Sequence, residues 1–225
     1  MKVIGLVGYK RSGKDTFADY CINILNDKNY KAYKLSYANP LKSLVYDVLD
    51  VSKYMNDEYL KSTKKPFIGK LNYDSLNKFL VTHNLDKLSG SDYDLLNQVY
   101  YDYRDSLSVL YRKLLQVIGT EIIRKRDNDF WVTLLNKRMR VLSNILDFVF
   151  VTDVRFPNEF NTLVKHWNAY MVNICRPGME NDDMHVSESY VGSLSERCQH
   201  TIIANDLDVL YIQANFFVIF LLNYV

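Results

Sequence analysis

The apolar run "KVIGLV" leads directly into "GYKRSGKDT" at residues 8–16, and the pattern "KDTFADYCINILND" follows, with Phe17, Cys21, Ile24 and Leu25 at helical spacing. A strand, a glycine loop of the form Gly8-x4-Gly13-Lys14 and a helix, in that order, limit the fold more than any other segment does. Such a loop turns tightly and aims successive backbone N–H groups, with the helix N-terminus, at an anion; glycine allows this because it has no Cβ. Lys14 adds a mobile positive charge. The pattern is that of a phosphate-binding loop, and it departs from the common form at one place. The residue after the lysine is usually Ser or Thr, whose hydroxyl holds Mg2+, but here it is Asp15, with Thr16 second. A carboxylate is a competent hard-oxygen ligand for Mg2+, and an acidic residue also suits the first turn of a helix. Asp15 and Thr16 are therefore both candidate metal contacts.

The rest of the chain continues the alternation. "YKAYKLSYA" reads as a second strand, and Pro40 suits the first turn of the helix "PLKSLVYDVL". This βαβα start predicts a parallel sheet with helices on its faces. From about 51 to 105 the chain turns polar and rich in tyrosine and asparagine, as in "SGSDYDLLNQVYYDYRDS", with weak periodicity; it reads as a largely helical insertion or lid. Helical spacing returns in "SLSVLYRKLLQVIG", where Leu107, Leu110, Leu114 and Val117 or Ile118 share a face, and in "FWVTLLNKRMRVL". "LDFVFVTDVRFPNEF" is an apolar strand ending in Asp153 and Arg155 with a helix start at Pro157; "AYMVNICRPG" is another strand, and "HTIIANDLDVL" is a short strand leading into the last helix. The expectation is an α/β fold, one doubly wound parallel sheet in a single domain spanning residues 1–225, with the insertion at about 51–105.

Charge and cysteine content narrow the class. With 28 basic and 26 acidic residues the net charge is +2, which gives no whole-molecule reason to expect DNA or an acidic membrane as partner. Cys21, Cys175 and Cys198 are far apart and odd in number, as in a reduced intracellular protein, and "CQH" at 198–200 lacks the second pair that a zinc site needs. The apolar start is too short for a signal peptide. "FFVIFLLNYV" falls short of the roughly 20 residues that span a bilayer and reads as a buried final helix. A cytoplasmic location is expected.

A phosphate loop names a nucleotide but no reaction. Arg112, Lys113, Gln116, Gly119 and Thr120, followed by Arg124, Lys125 and Arg126, group basic with polar residues. Arg112, Gln116 and Thr120 would share one face of a continuous helix, where an arginine could hold a phosphate and Gln116 a base edge. Asp153 and Arg155 fall at the carboxyl end of a predicted central strand, where open α/β sheets bind ligands; the first could order Mg2+ or its waters and the second could clamp a phosphate. Trp131 either stacks on a base or fills the core. His185, Ser187 and Glu188 in "HVSES" are explained by a polar turn and helix cap, since no nucleophile elbow is present.

Taken together, "KRSGKDT", "YANPLK", "LLQVIGTEIIRKRDNDFWV", "TDVRFPNEF", "HVSE" and "IIAND" resemble the deoxynucleoside monophosphate kinases of large DNA bacteriophages, in the family's order along nearly the whole chain. The resemblance implies a P-loop kinase that transfers the γ-phosphoryl group of ATP to a deoxynucleoside monophosphate, with Mg2+, in the host cytoplasm, without a membrane or a required nucleic acid, and with a homodimer left open. It places ATP phosphates at Ser12, Gly13, Lys14, Asp15 and Thr16, and adenine near Asn205. It places the monophosphate near Arg112, Lys113, Gln116, Gly119, Thr120, Trp131, Asp153, Arg155 and Glu159. Lys14, Arg124, Asp153 and Arg155 are the expected catalytic residues, with Arg124 or Arg126 closing over the transferred group. Two rivals stand beside this reading: another small-molecule kinase with a GKD loop, such as a phosphomevalonate kinase, and a viral structural or nucleic-acid-binding protein that kept the kinase fold without turnover.

Overall fold

The computed structural model describes residues 1–51, 57–178 and 189–224; His185, Ser187 and Glu188 lie outside the described residues. The chain divides into two compact units, one formed by residues 1–37 and 132–225, the other by residues 38–131.

The first unit is built on five parallel strands in the order β2-β3-β1-β4-β5, namely β1 (Lys2–Val7), β2 (Ala32–Leu35), β3 (Phe148–Val151), β4 (Tyr170–Cys175) and β5 (His200–Ile203). β1 and β3 read as continuous apolar runs because both faces of a parallel sheet are covered. Ile4 and Leu6 project to one side, into a core shared with Phe17, Cys21 and Leu25 of α1 (Lys14–Asp27) and with the C-terminal helix. Gly5 faces the other way, as strand alternation requires. A Cβ there would come within 3.2 Å of Leu163 on the helix Pro157–Trp167 and 2.4 Å of Met171, so the glycine admits close packing on that face. The P-loop strand is central, and the chain fills one side of it with β2 and β3 before crossing to β4 and β5. This places the switch in strand order beside the carboxyl end of β1, where such folds bind ligands.

The second unit is helical: α2 (Ala38–Val48), α3 (Asp57–Ser62), α4 (Tyr73–Thr82), α5 (Gly90–Tyr103), α6 (Leu107–Gln116) and a π-helical segment (Val117–Arg124). α7 (Phe130–Leu142) begins in it and continues into the first unit. The unit is wider than the tyrosine-rich stretch suggests, since it starts at Ala38 and includes the "LLQVIGTE" run. Local signals set its helix starts. The Asn72 side chain accepts from Ser75 N–H before α4, and Ser89 with Asp92 forms a capping box before α5. The tyrosines and asparagines form bonds between neighbouring segments: Tyr73 donates to Asn97, Asn77 donates to Tyr93, and Tyr100 donates to the Gly69 carbonyl.

Three details correct the sequence expectations. β3 ends at Val151, so Asp153 and Arg155 sit just beyond it, in the connection to α8 (Pro157–Trp167), where Val154 N–H turns to Leu6 O. The segment from Val117 bonds i→i+5, so the regular α-helix that carries Arg112 and Gln116 does not continue through Thr120. After the short α9 (Val191–Ser195), the final helix, α10 (Leu207–Tyr224), is buried on one face only. Leu210, Ala214, Phe217, Val218 and Leu221 are inside, while Leu207, Ile212, Phe216 and Ile219 are exposed because the helix lies on the outside of its sheet. Among the described residues no helix is long and apolar enough to cross a membrane.

Candidate active site

The phosphate loop follows β1 without a break. Gly8 has φ 147°, and a Cβ there would lie 2.4 Å from the Ile174 carbonyl oxygen and 2.8 Å from Ser12 Oγ, so the position requires glycine. Arg11 (φ 64°) and Gly13 (φ 95°) take left-handed conformations, and Ser12 N–H donates to Tyr9 O at 3.1 Å, wrapping the loop upon itself. Lys14 is 6% exposed and arches back over the loop, its ammonium donating to Gly8 O at 2.7 Å and Tyr9 O at 2.6 Å. These bonds fix the height of the positive charge above the loop while α1 begins directly behind it, its first N–H groups available to an anion. Leu210 of α10 packs 3.2 Å from where a Cβ on Gly13 would sit. That contact brings the β5–α10 connection, which carries the exposed Asn205, to the flank of the loop.

Asp15, the first acidic residue of α1, is engaged on one oxygen. Thr152 Oγ1 donates to Asp15 Oδ1 at 2.8 Å, and Lys34 Nζ stands 3.9 Å from the same oxygen while bonding Asp19 at 2.7 Å. The Asp15 side chain is 73% exposed. Asp153, one residue after Thr152, points to the other side: Ser36 Oγ donates to it at 2.7 Å and Tyr37 N–H at 2.8 Å, so its carboxylate ties the end of β2 to the end of β3. Arg155 is half-buried beyond it. Glu159 is 2% exposed and accepts the backbone N–H groups of Arg155 (2.9 Å) and Phe156 (3.1 Å), acting as the N-terminal cap of α8 beneath Arg155. Glu159, expected near the monophosphate, thus shapes the turn that carries Arg155.

Among the described residues no three His, Cys, Asp or Glu side chains are grouped to hold an ion. Mg2+ carried in with a triphosphate does fit, because that ion needs only one or two protein oxygens and takes the remainder from phosphate and water. Asp15, Thr16 and Thr152 are the hard-oxygen groups beside the loop.

In the second unit, Arg112 donates to Lys61 O at 3.2 Å, and Lys113 lies 5.4 Å from the Tyr103 ring centroid. Gly119 lets Leu41 approach to 2.6 Å of the missing Cβ, and its carbonyl accepts the Trp131 indole N–H at 3.1 Å. Trp131 is 4% exposed and packs against Phe79 and Phe130, which favours core filling over base stacking. Arg124 is buried at the end of the π segment and donates to Asn128 O. Arg126 is bound to Asp92 at 2.6 Å and to the carbonyls of Asp86, Lys87 and Ile122, so of the two arginines proposed to move it is the one committed to scaffolding. Thr152 and Ser36 were not singled out from the sequence. The available signal was their position, each directly following a strand end.

A five-stranded parallel sheet flanked by helices, with a glycine loop and an arching lysine at the end of its central strand, defines a P-loop kinase fold. The sequence profile of the family described as deoxynucleotide monophosphate kinase matches residues 2–89 and 75–214. The chain belongs to that family. It is 28% identical over 237 aligned residues to the deoxynucleotide monophosphate kinase of Enterobacteria phage T4, covering 92% of this chain and 93% of that protein. It is 26% identical to the protein of the same name from Escherichia phage RB69, over 84% of this chain and 88% of the relative. It is also 28% identical to a putative deoxynucleotide monophosphate kinase of Acanthamoeba polyphaga mimivirus, over 86% and 84%. These matches do not favour a phosphomevalonate kinase or a turnover-free structural protein.

Proposed function

We propose that the protein is a deoxynucleoside monophosphate kinase that transfers the γ-phosphoryl group of ATP to a deoxynucleoside monophosphate, releasing ADP and the diphosphate. The observation that carries this reading is the Lys14 arch over a glycine loop at the carboxyl end of β1, in a chain that belongs to this family. An oxygen of the acceptor phosphate bonds to the γ-phosphorus as the bond to the β–γ bridging oxygen breaks. Such a transfer asks the protein for alignment and charge neutralisation more than for covalent chemistry. Ser12, Gly13, Lys14, Asp15 and Thr16 hold the ATP phosphates, Lys14 supplies charge, and Asn205 meets adenine. Asp15 and Thr16 would hold Mg2+ brought in with the triphosphate, which would supply further charge neutralisation. Arg112, Lys113, Gln116, Gly119 and Thr120 recognise the monophosphate, Arg155 clamps phosphate, and Arg124 neutralises the transferred group. Asp153 and Glu159 act indirectly by holding the turns on either side of Arg155, and Trp131 by supporting the Gly119 backbone. The reaction takes place in the host cytoplasm and needs no nucleic acid.

A coupled assay of ADP release across all deoxynucleoside and ribonucleoside monophosphates tests this, with Lys14→Ala and Arg155→Ala beside the parent. Release that depends on a deoxynucleotide and is lost in both variants is expected. No turnover with any acceptor overturns the proposal.

A further inference from the structure

In the usual phosphate loop the hydroxyl that meets Mg2+ comes from the residue after the lysine, and a carboxylate comes from the end of the neighbouring strand. Here the residue after the lysine carries the carboxylate, Asp15, and the residue that directly follows the apolar "FVFV" of β3 carries the hydroxyl, Thr152. The two meet at 2.8 Å. We propose that the pair has exchanged places, and that Thr152 is the positioning residue that holds Asp15 as the metal-side oxygen of a triphosphate-bound divalent cation.

Four observations support the exchange. β3 lies beside β1 with Gly5 opposite Val151, which carries Thr152 toward the P-loop end of the sheet. Just past the end of β3 the side chains of Thr152 and Asp153 part to different partners, one to Asp15 and the other to Ser36 and Tyr37 N–H, so the carboxylate of "TD" is the scaffold and its hydroxyl serves the loop. Thr152 is 2% exposed, so its only mobile proton is committed to Asp15 Oδ1, while no described hydrogen bond falls on Asp15 Oδ2 and that side chain stays largely open. Lys34 is engaged by Asp19 at 2.7 Å and stands 3.9 Å from Asp15 Oδ1, beyond hydrogen-bond distance, so Oδ2 is the oxygen facing a cation. A threonine that fixes a carboxylate oxygen acts as an outer partner of a metal ligand does, and removing such partners costs about tenfold or more in metal affinity.

The inference rests on the proposed use of Mg2+·ATP, and its test reads binding rather than turnover. The affinity of a fluorescent ATP analogue is measured with and without Mg2+ for the parent, Thr152→Val, Thr152→Ser, Asp15→Asn and the exchanged double variant Asp15→Ser with Thr152→Asp, each checked for folding by circular dichroism. Thr152→Val should raise the Mg2+ concentration needed for half-maximal enhancement by about tenfold, while metal-free affinity stays at the parent's level. Thr152→Ser should restore the requirement, and the exchanged pair should recover more of it than either single change leaves. A Thr152→Val protein with the parent's Mg2+ requirement overturns the inference, as does an equal loss with and without Mg2+, which would make the threonine a loop-packing residue. A parent that binds Mg2+·ATP yet transfers no phosphoryl group refutes the proposed function and leaves this inference scored by the same titrations. A parent that binds no triphosphate overturns both.

Discussion

Tyr111→Phe should destabilise the helical unit by an amount the structure allows to be worked out. The Tyr111 ring is fully buried and stacks on Tyr46 with centroids 5.9 Å apart, contacts that phenylalanine retains. Its hydroxyl donates to Asp57 Oδ1 at 2.7 Å, while Lys42 and Lys61 reach Oδ2 at 3.0 and 2.6 Å. A hydrogen bond to a charged acceptor contributes about 1.5–3 kcal/mol. Because both lysines remain and the Asp57 side chain is 27% exposed, the lower end applies, about 1.5–2 kcal/mol. In a chain of this size that lowers Tm by about 3–8 °C. Urea titrations and thermal melts of the parent, Tyr111→Phe, Asp57→Asn and the double variant isolate the pair, since the coupling appears as the departure from additivity. The effect also depends on pH. Burial alone would raise the Asp57 pKa, but hydrogen bonds from Lys61 and Tyr111 and the charge of Lys42 outweigh it and hold the carboxyl below its ordinary 3.8. With the folded value below the unfolded one, the stabilisation is fully present above the unfolded value and is lost as pH falls through the folded value. The gap between parent and variant should therefore close in acid. A Tyr111→Phe protein within about 0.5 kcal/mol of the parent at neutral pH, or a gap that persists through that acid range, refutes the reasoning.

Two further outcomes follow from the first unit. Gly8→Ala should abolish measurable ATP-analogue binding, because its Cβ meets the Ile174 carbonyl at 2.4 Å at a φ of 147°; calorimetric binding at the parent's affinity would contradict this. Glu159→Gln should lower stability by about 1–3 kcal/mol, since a buried carboxylate holding two backbone N–H groups loses its charge-assisted bonds. An unchanged urea midpoint would show that the α8 cap contributes nothing.

The opening of the chain was legible because two local signals coincide there. The glycine–lysine spacing fixes the loop, and apolar residues at helical intervals fix α1, whose range 14–27 agrees with the sequence reading. The apolar strand before Asp153 and Arg155 was legible from its unbroken apolar run, but its end at Val151, short of both residues, was not, and neither were their contacts. Thr152 gives no periodic or compositional signal, and its meaning depends on Asp15, 137 residues away in sequence. The tyrosine-rich helices were hard to read because each buries few apolar side chains, Leu76 and Leu80 on α4 and Leu96 and Val99 on α5. Their tyrosines are spent on bonds between segments, which leave no mark at a helical period. The π segment was invisible for a related reason: "VIGTEIIR" satisfies an α-helical apolar pattern equally well, and only its i→i+5 bonding distinguishes it.

The central claim is transfer to a deoxynucleotide rather than hydrolysis, and the direct measurement is the fate of the γ-phosphate. ATP labelled at that position is incubated with the parent and each deoxynucleoside monophosphate, and the products are separated by chromatography. The account predicts label in a deoxynucleoside diphosphate in equal amount to the ADP formed, and none with Lys14→Ala. Label recovered only as inorganic phosphate, or left in ATP with every acceptor, would contradict it.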